Sequence, residues 1–274
     1  MDENSYQHKP LIGIDIGGTA IKGGIVNVQD GRLLGEPFRV PTPQPATPQA
    51  IAESVSRVAD ELSARPEAPE PGTPMGVTFP GIIQRGVVRS AANVDKSWLN
   101  TNIEALLSAR LGLPVEVIND ADAAGLAEAR YGAGAGVAGT VLVITLGTGI
   151  GSAFISDGRL VPNTELGHLE IDGHNAESKA SAAARERAGL SWNEYSLLLQ
   201  RYLSHIEFLF SPELVIVGGG ISERAHDYLP HIKLRVPIVP AVLRNEAGII
   251  GAAGEAASNH QAILSHWAPA TDTF

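Results

Sequence analysis

Short apolar runs alternate with polar segments rich in glycine and proline along the whole chain. Residues 11–28 predict a strand, a glycine turn and a second strand, and Asp30-Gly31 predicts the hairpin turn that follows. Thr47 is the predicted N-cap of a helix at residues 48–64 and is followed by a proline at the first helical position. The other elements predicted in this half are a strand at 75–79, a helix at 103–111, a strand at 114–118 and a helix at 121–131.

The second half of the chain repeats this plan. Residues 140–151 predict a strand and a glycine turn, and residues 152–155 predict the return strand. The amphipathic stretch at 178–210 predicts two helices divided near Gly189. The remaining predicted elements are a strand at 212–217 and, at 247–260, a helix rich in alanine and glycine that should pack closely against its neighbours.

The two halves share one sequence pattern. Residues 14–19 read Ile-Asp-Ile-Gly-Gly-Thr and residues 144–149 read Ile-Thr-Leu-Gly-Thr-Gly, each between two predicted strands. A duplicated strand-turn-strand unit explains both, and a coincidence between two ordinary hairpins is the alternative. We therefore predict two α/β domains, residues 1–119 and 120–246, with the helix at 247–260 completing the first.

Composition and charge exclude several classes of protein. The chain of 274 residues has no cysteine, so disulfides, thiolate metal sites and thiol nucleophiles are excluded. Its formal net charge of −10 argues against nucleic acid as the main partner, because phosphate backbones require a basic surface. The first ten residues are polar, and no run reaches the ~18 apolar residues of a membrane helix. We expect a cytoplasmic protein that binds neither membrane nor nucleic acid.

The first glycine turn carries groups that suit a phosphate. Gly17 and Gly18 let backbone N–H groups approach an anion, and Thr19 adds a hydroxyl donor. Lys22 would neutralise phosphate charge, whereas Asp15 would have to hold Mg²⁺ through water. The alternative is a structural hairpin that ends in an aspartate. The turn is not a GxxxxGK[ST] phosphate loop, which the chain lacks.

Two more glycine-rich segments fit the same chemistry. The turn from Thr145 to Gly151 alternates Gly147, Thr148 and Gly149, more glycine than one tight turn needs, so we expect backbone donors to a phosphate. A flexible hairpin tip is the alternative. A third segment follows the strand at 212–217, and a dinucleotide fingerprint there is disfavoured because Glu223 occupies its third glycine position. Contact with the adenosine of a nucleotide fits better for Gly218, Gly219 and Gly220.

Polar side chains at the end of a predicted strand are candidates for binding a sugar. Asn119 and Asp120 lie at the carboxyl end of the strand at 114–118, where α/β folds place ligands. Asp120 alternatively serves only as a helix N-cap. Glu165 and His168 add further donors and acceptors for hydroxyl groups, although a lone histidine is more often structural. A His-Glu-Glu metal site is conceivable, but the chain has no HExxH spacing.

Taken in order, these residues resemble the ROK family of sugar kinases and repressors. The resemblance is carried by Asp15-Ile-Gly-Gly-Thr19, Phe79-Pro-Gly-Ile-Ile83, Gly86-Val-Val88, Ala92-Asn93, Trp98, Val117-Ile-Asn-Asp-Ala-Asp-Ala-Ala124, Gly147-Thr-Gly-Ile-Gly151 and Glu165-Leu-Gly-His168, and it covers about residues 11–257. The segments at 78–81 and 163–170 look closest to the family's polyphosphate glucokinase branch.

The resemblance implies an actin-like, ribonuclease-H-like fold with two α/β domains around a central cleft. It implies transfer of a phosphoryl group from ATP or inorganic polyphosphate, with Mg²⁺, to the 6-hydroxyl of glucose and also of mannose. Asp120 would be the general base, and the glycine turns would hold the phosphates. The sugar would be held by Asn93, Asn119, Asp120, Glu165, His168 and Glu177.

The chain also departs from the family pattern. Many members carry a cysteine-rich zinc motif after the Glu-x-Gly-His segment, and without cysteine no zinc site is expected here. About ten residues precede the first glycine turn, so the DNA-binding domain of the repressor branch is not expected.

Alternatives remain for function and for the donor site. An ATP-dependent kinase for fructose or an acylamino sugar is one rival, and a non-catalytic sugar sensor of the same fold is another. The enzyme would act as a monomer or homodimer. Polyphosphate requires a basic path, for which the candidates are Lys22, Arg85, Arg89, Lys96, Arg201 and Arg244, although each of them is alternatively a solvated surface charge.

Overall fold

The computed structural model describes residues 9–91 and 94–267. The chain folds into two compact units, residues 1–123 with 248–274, and residues 124–247. The predicted domain boundary at 119 and 120 falls a few residues before this division, and it places Asp120 in the second domain, whereas the structure places it in the first unit. Among the described residues, no helix has the length and apolar character needed to cross a membrane.

The first unit contains one five-stranded sheet with the strand order β3-β2-β1-β4-β7. Strand β2 is antiparallel to both β3 and β1, and β4 and β7 continue the sheet in parallel with β1. Its elements are β1 (Pro10–Ile16), β2 (Ala20–Asn27), β3 (Arg32–Pro41), α1 (Pro48–Ser63), β4 (Met75–Phe79), β5 (Ile83–Gln84), β6 (Val87–Val88), α2 (Ile103–Leu111), β7 (Val115–Asn119) and α3 (Asp120–Tyr131), which continues into the second unit.

The second unit repeats this topology with the strand order β10-β9-β8-β13-β14. Again the first three strands are antiparallel, and the last two continue in parallel. Its elements are β8 (Thr140–Leu146), β9 (Ile150–Ser156), β10 (Arg159–Val161), β11 (Glu170–Ile171), β12 (His174–Asn175), α4 (Glu177–Ala180), α5 (Ala182–Ala188), α6 (Trp192–Phe210), β13 (Leu214–Gly218), α7 (Ala225–Tyr228) and β14 (Ile238–Pro240); α8 (Ala247–Trp267) then returns to the first unit.

The shared sequence pattern of the two halves therefore marks a structural duplication. Each glycine turn joins two antiparallel strands, β1 to β2 in one unit and β8 to β9 in the other. Each sheet has the strand order of a ribonuclease-H-like unit, which confirms the predicted α/β class with two such units.

The helices follow their predicted capping signals except in one segment. Thr47 caps α1 by accepting a hydrogen bond from the Ala50 N–H, as predicted. The prediction of two helices over residues 178–210 is wrong, because the stretch forms three helices. Ser181 adopts an extended conformation and its hydroxyl accepts the Ala184 N–H, which ends α4 and starts α5. Gly189 divides α5 from α6, as predicted.

The last helix, α8, packs closely on the first sheet, as its small residues predict. A Cβ at Gly13 of β1 would lie 2.0 Å from the Ile249 carbonyl oxygen. A Cβ at Gly76 of β4 would lie 1.9 Å from the Ala252 carbonyl oxygen. Since such distances are impossible for any larger residue, glycine on the strands is what allows helix backbone and sheet backbone to touch.

Candidate active site

The end of β7 presents one buried and one exposed polar side chain in succession. Asn119 is buried, and its Oδ1 accepts hydrogen bonds from the N–H groups of Ala121 and Asp122 at 2.8 and 3.0 Å. Its Nδ2 donates to the Gly81 carbonyl oxygen at 3.1 Å. Asn119 thus caps the start of α3 and ties the loop after β4 to β7.

Asp120 has a different environment from Asn119. It is exposed at the first position of α3, where its Oδ1 accepts a hydrogen bond from the adjacent Ala121 N–H at 2.9 Å. The N-terminus of a helix carries partial positive charge, which stabilises a carboxylate there. Asn119 and Asp120 both accept the Ala121 N–H, so Asp120 shares in capping α3 while its side chain stays exposed.

The first glycine turn is anchored by its own backbone and by β4. The Gly17 N–H donates to the Ala20 carbonyl oxygen at 3.1 Å, so this predicted phosphate donor is used inside the hairpin. Gly18 and Thr19 are the exposed residues of the turn. A cavity of about 190 Å³ adjoins the turn and is lined by Gly17, Gly18, Thr42, Gln44, Asp95 and Trp98, among others.

Asp15, at the base of this turn, has two partners. Its Oδ1 accepts the Thr78 hydroxyl at 2.7 Å, and its Oδ2 lies 3.2 Å from the Lys22 ammonium. Among the described residues, no group of three or more His, Asp or Glu side chains is arranged to hold a metal ion. One carboxylate beside an ammonium fits Mg²⁺ only through bridging water, since Mg²⁺ keeps several waters and takes its other ligands from substrate phosphates.

The second glycine turn is tied to the helices that follow it in the chain. The Gly147 N–H donates to the Gly149 carbonyl oxygen at 3.0 Å, and the Gly147 carbonyl oxygen accepts the Ala183 N–H at 3.1 Å. Gly147 and Thr148 are exposed. The Glu177 carboxylate, at the start of α4, accepts the Ile150 N–H at 3.2 Å through Oε2. Glu177 therefore lies against this turn.

Gly218, Gly219 and Gly220 lie beside the second turn. Gly218 at the end of β13 pairs with Thr145 of β8, so both glycine segments end at the same edge of the sheet. Gly219 has a φ of +82°, and a Cβ there would lie 2.4 Å from the Leu146 carbonyl oxygen. Only glycine suits this position, because both its backbone conformation and its close approach exclude a side chain.

Glu165 directly precedes a 3₁₀ helix, Leu166–His168, that ends at His168 and is fixed to β9. The Leu166 N–H donates to the Ser152 hydroxyl at 2.9 Å. A Cβ at Gly167 would lie 2.4 Å from the Ile150 carbonyl oxygen, so glycine is required for this packing. The Glu-Leu-Gly-His segment is thereby held directly against the strand that leaves the second glycine turn.

The tautomer of His168 follows from its neighbour. Asn175 Nδ2 is a donor and lies 3.0 Å from His168 Nδ1, so Nδ1 must accept and Nε2 carries the hydrogen of the neutral ring. Nε2 lies 3.9 Å from Oε2 of Glu165. The neutral ring thus presents a donor and the carboxylate an acceptor at neighbouring positions, which is a pattern that suits sugar hydroxyls.

Asn175 connects the predicted sugar residues of the second unit. Its Oδ1 accepts the Glu177 N–H at 3.1 Å while its Nδ2 binds His168. The structure thus joins His168, Glu177 and the second glycine turn through one side chain. Asn175 was missed from the sequence, as was Thr78, whose place as a hydroxyl residue within an otherwise apolar buried strand was the available signal.

The remaining predicted residues are Asn93 and the basic candidates for a polyphosphate path. Asn93 lies outside the described residues. Of the basic candidates for a polyphosphate path, Lys22 pairs with Asp15, Arg201 pairs with Asp172, and Arg89 donates to Asn100. The exposed candidates Arg85 and Lys96 belong to the first unit and Arg244 to the second. These contacts do not define a path.

Comparison with known proteins identifies relatives over most of the chain. The sequence model described as "ROK family" matches residues 11–181. The polyphosphate glucokinase of Mycobacterium tuberculosis is 48% identical over 242 residues, which cover 88% of this chain and 89% of the relative.

Solved structures share the fold. The inorganic polyphosphate/ATP-glucomannokinase of Arthrobacter sp. strain KM has a TM-score of 0.88 and 80% sequence identity, and the match covers 92% of this chain and 100% of that one. A ROK family glucokinase from Streptomyces griseus, solved in complex with glucose and AMPPNP, has a TM-score of 0.75 and 27% identity, with 89% and 98% of the two chains covered.

Proposed function

The chain belongs to the ROK family, and we propose that it is a kinase that transfers a phosphoryl group from inorganic polyphosphate or ATP to glucose. Two named relatives support this assignment, the polyphosphate glucokinase of M. tuberculosis and the polyphosphate/ATP-glucomannokinase of Arthrobacter. The match to each covers 88% or more of this chain, so the similarity is not confined to one motif.

The observation that carries the proposed mechanism is the exposed carboxylate of Asp120 at the start of α3, directly after β7. We assign it as the general base that accepts the proton of the sugar's 6-hydroxyl. A carboxylate of ordinary basicity can fill this role, because phosphoryl transfer passes through a loose transition state that depends mostly on positioning and charge stabilisation. The buried Asn119 fixes the start of α3 and hence the position of Asp120.

The residues of the second unit supply the hydrogen-bonding pattern for the sugar. Glu165 accepts, the Nε2–H of His168 donates, and Asn175 fixes the orientation of the His168 ring. Glu177, whose carboxylate lies against the second glycine turn, would accept a hydrogen bond from a further sugar hydroxyl. We propose that Asn119 and Asn93 of the first unit also bind the sugar.

The glycine segments would hold the donor. The exposed turn residues Gly18, Thr19, Gly147 and Thr148 are the candidates for phosphate contacts, and Gly218 to Gly220 are the candidates for contact with adenosine. Mg²⁺ would arrive with the donor and neutralise phosphate charge. Asp15 would hold the ion through water, and Lys22 would balance the remaining charge.

One assay tests acceptor and donor together. The purified protein is incubated with glucose, mannose, fructose and an N-acylamino sugar, each with ATP and with polyphosphate, and the phosphorylated sugar is measured. We expect turnover of glucose and mannose with either donor. Turnover with ATP alone would remove the polyphosphate claim, preference for fructose or the acylamino sugar would change the substrate, and sugar binding without turnover would favour the sensor.

A further inference from the structure

The second unit contains a groove whose role the proposed kinase reaction does not explain. The groove has a volume of about 510 Å³ and lies among the β11–β12 hairpin, α4, α5 and α6. That volume is within the range of small-molecule sites. Most predicted sugar and phosphate residues are not among its lining residues, and Glu165, His168 and Glu177 are absent from its wall.

The floor of the groove is apolar, and its rim is basic. Leu190, Leu198 and alanines of α4 and α5 form the floor. Lys179, Arg187 and Arg201 lie along the rim, where the facing carboxylate is that of Asp172. Arg201 is paired with Asp172 through bonds of 3.0 and 2.8 Å, whereas in the described part of the chain neither Lys179 nor Arg187 forms an ion pair. Such a local excess of positive charge is notable in a chain of net charge −10.

Tyr202, one of the residues that line the groove, has a buried hydroxyl without a hydrogen-bond partner in the described part of the chain. Tyr202 is 2% exposed and lines the groove, and its Oη is buried and unsatisfied. Buried polar atoms normally have partners, and an unsatisfied one costs stability. Tyr195, two turns earlier on α6, shows the ordinary arrangement, since its hydroxyl donates to the Ala180 carbonyl oxygen at 2.7 Å.

From these observations we propose that the groove is a second binding site, for a small organic anion with an apolar body. The anionic group would bind Lys179 and Arg187, the apolar body would lie on Leu190 and Leu198, and the Tyr202 hydroxyl would gain a partner. Inorganic phosphate and polyphosphate have no apolar portion, so they would leave the floor of the groove in contact with water.

The wall of the groove is continuous with the predicted sugar site. Asn175 lines the groove, and the same side chain binds His168 and the Glu177 backbone. Burial, and after it the Glu177 carboxylate, raise the pKa of Tyr202. An occupant that shifts β12 or α4 therefore changes the affinity for glucose. This coupling, unlike the binding itself, rests on the proposed function.

Binding is tested with anilinonaphthalene sulfonate, a fluorescent organic anion with an apolar body. The proteins compared are the wild type, the double variant Lys179→Ala/Arg187→Ala, and Phe208→Ser as a control, because Phe208 is an exposed apolar residue of α6 outside the groove. We expect the double variant to bind the probe at least about tenfold more weakly, since each of the two lost charged contacts is worth about that factor, and Phe208→Ser to bind it normally. Binding that is lost only in Phe208→Ser would overturn the proposal.

Competition identifies the class of ligand. Octanoate should displace the probe from the wild type, whereas inorganic phosphate and tripolyphosphate should not. Displacement by tripolyphosphate but not by octanoate would overturn the proposal and assign the basic rim to the phosphoryl donor. Ala188 is an exposed residue that lines the groove. The variant Ala188→Trp fills the groove without removing a charge, so it should abolish binding of the probe and leave the thermal unfolding temperature unchanged.

The tyrosine pair provides an independent measurement. Tyr202→Phe should weaken binding of the probe without lowering the unfolding temperature, because it removes a hydroxyl that has no partner. Tyr195→Phe should lower the unfolding temperature, because it leaves the Ala180 carbonyl oxygen without its donor. Unaltered probe binding by Tyr202→Phe would contradict the place given to its hydroxyl.

Calorimetric titration of glucose, with and without octanoate, tests the coupling. We expect octanoate to change the glucose dissociation constant at least about twofold in the wild type and not in the double variant. If glucose neither binds nor is phosphorylated while the probe still binds the groove, the proposed function fails and the second site stands. If glucose binds identically with and without octanoate, the coupling fails.

Discussion

The carboxylate of Glu177 accepts a hydrogen bond from the Ile150 N–H at 3.2 Å. This contact fixes the start of α4 against the residue that directly follows the second glycine turn. A Cβ added to Gly149 would lie only 2.5 Å from the same Oε2, so there is no room for a side chain there. A predicted sugar residue and a predicted phosphate turn are therefore parts of one packed unit, and a change in either should be detected at the other.

Replacing Asp120 with asparagine tests the proposed general base. Asp120→Asn keeps the size of the side chain and its ability to accept the Ala121 N–H, but removes its basicity. We expect glucose binding to be retained and turnover to fall by at least ~10²-fold, the usual size of a general-base effect. Initial rates and calorimetric titration of glucose measure the two quantities separately.

Asp60→Asn is the matched control for that experiment. Asp60 is an exposed aspartate of α1, so its substitution removes the same charge from a helix surface. We expect normal turnover from this variant. Near-normal turnover by Asp120→Asn would show that the 6-hydroxyl loses its proton without help from this carboxylate.

Alanine at Gly149 and at Gly147 should have different effects on the stability of the protein. A Cβ at Gly149 displaces the Glu177 carboxylate and breaks its bond to Ile150, a loss of about 1 kcal/mol. The unfolding temperature should therefore fall by roughly 2–4 °C. A Cβ at Gly147 meets nothing within 4 Å, so Gly147→Ala should unfold at the wild-type temperature. Thermal unfolding of the ligand-free proteins measures this difference.

Activity measurements complete the test of the second turn. If the donor phosphate contacts this turn, the methyl group of Gly147→Ala intrudes on the donor and raises the KM for ATP and polyphosphate, although the protein is fully stable. Wild-type KM values for both donors in Gly147→Ala would argue against phosphate binding at this turn.

Glu255 predicts a pH-dependent stability. Burial, with the nearby Glu116 carboxylate adding to it, raises the pKa of Glu255 above its ordinary value of 4.5, although a bond from Asn259 opposes the shift. The folded state thus holds this proton more tightly than the unfolded state. The protonated Glu255 therefore contributes fully to stability when the pH is below the ordinary pKa of glutamate. This contribution is lost as the pH rises through the pKa of Glu255 in the folded state.

The variant Glu255→Gln removes this charge and keeps an acceptor for Asn259. We expect it to be more stable than the wild type at pH 7 by about 0.5 kcal/mol, the size of a relieved like-charge contact, and to lose this advantage near pH 4. Thermal unfolding across this pH range measures the effect, and the exposed Glu53→Gln serves as control. An advantage that is constant with pH would contradict the electrostatic origin.

Several elements could be predicted because their signals are local. Thr47 with Pro48 marks the start of α1, and the glycine turns mark the two hairpins, since capping and turn geometry depend on a few adjacent residues. The division of α4 from α5 at Ser181 could not be predicted in the same way, because nothing in the alanine-rich sequence around it requires an extended residue.

The candidate site was predicted by residue type more than by arrangement. Asp120 and His168 were identified from their chemistry and position, but the side chains that orient them were not. Asn175 fixes the tautomer of His168, and Asn119 caps the start of α3 beside Asp120. Which of two adjacent polar residues turns inward is decided by what packs against them.

The sequence by itself determined the class of fold, the duplicated glycine hairpins and the family, because periodicity, turn residues and ordered motifs are properties of neighbouring residues. Only the tertiary structure decided which buried polar groups are satisfied by distant partners. Glu128, for example, accepts the Val242 and Leu243 N–H groups at 2.9 and 2.7 Å, across more than a hundred residues. Such bonds depend on how the chain returns to itself, which no local pattern encodes.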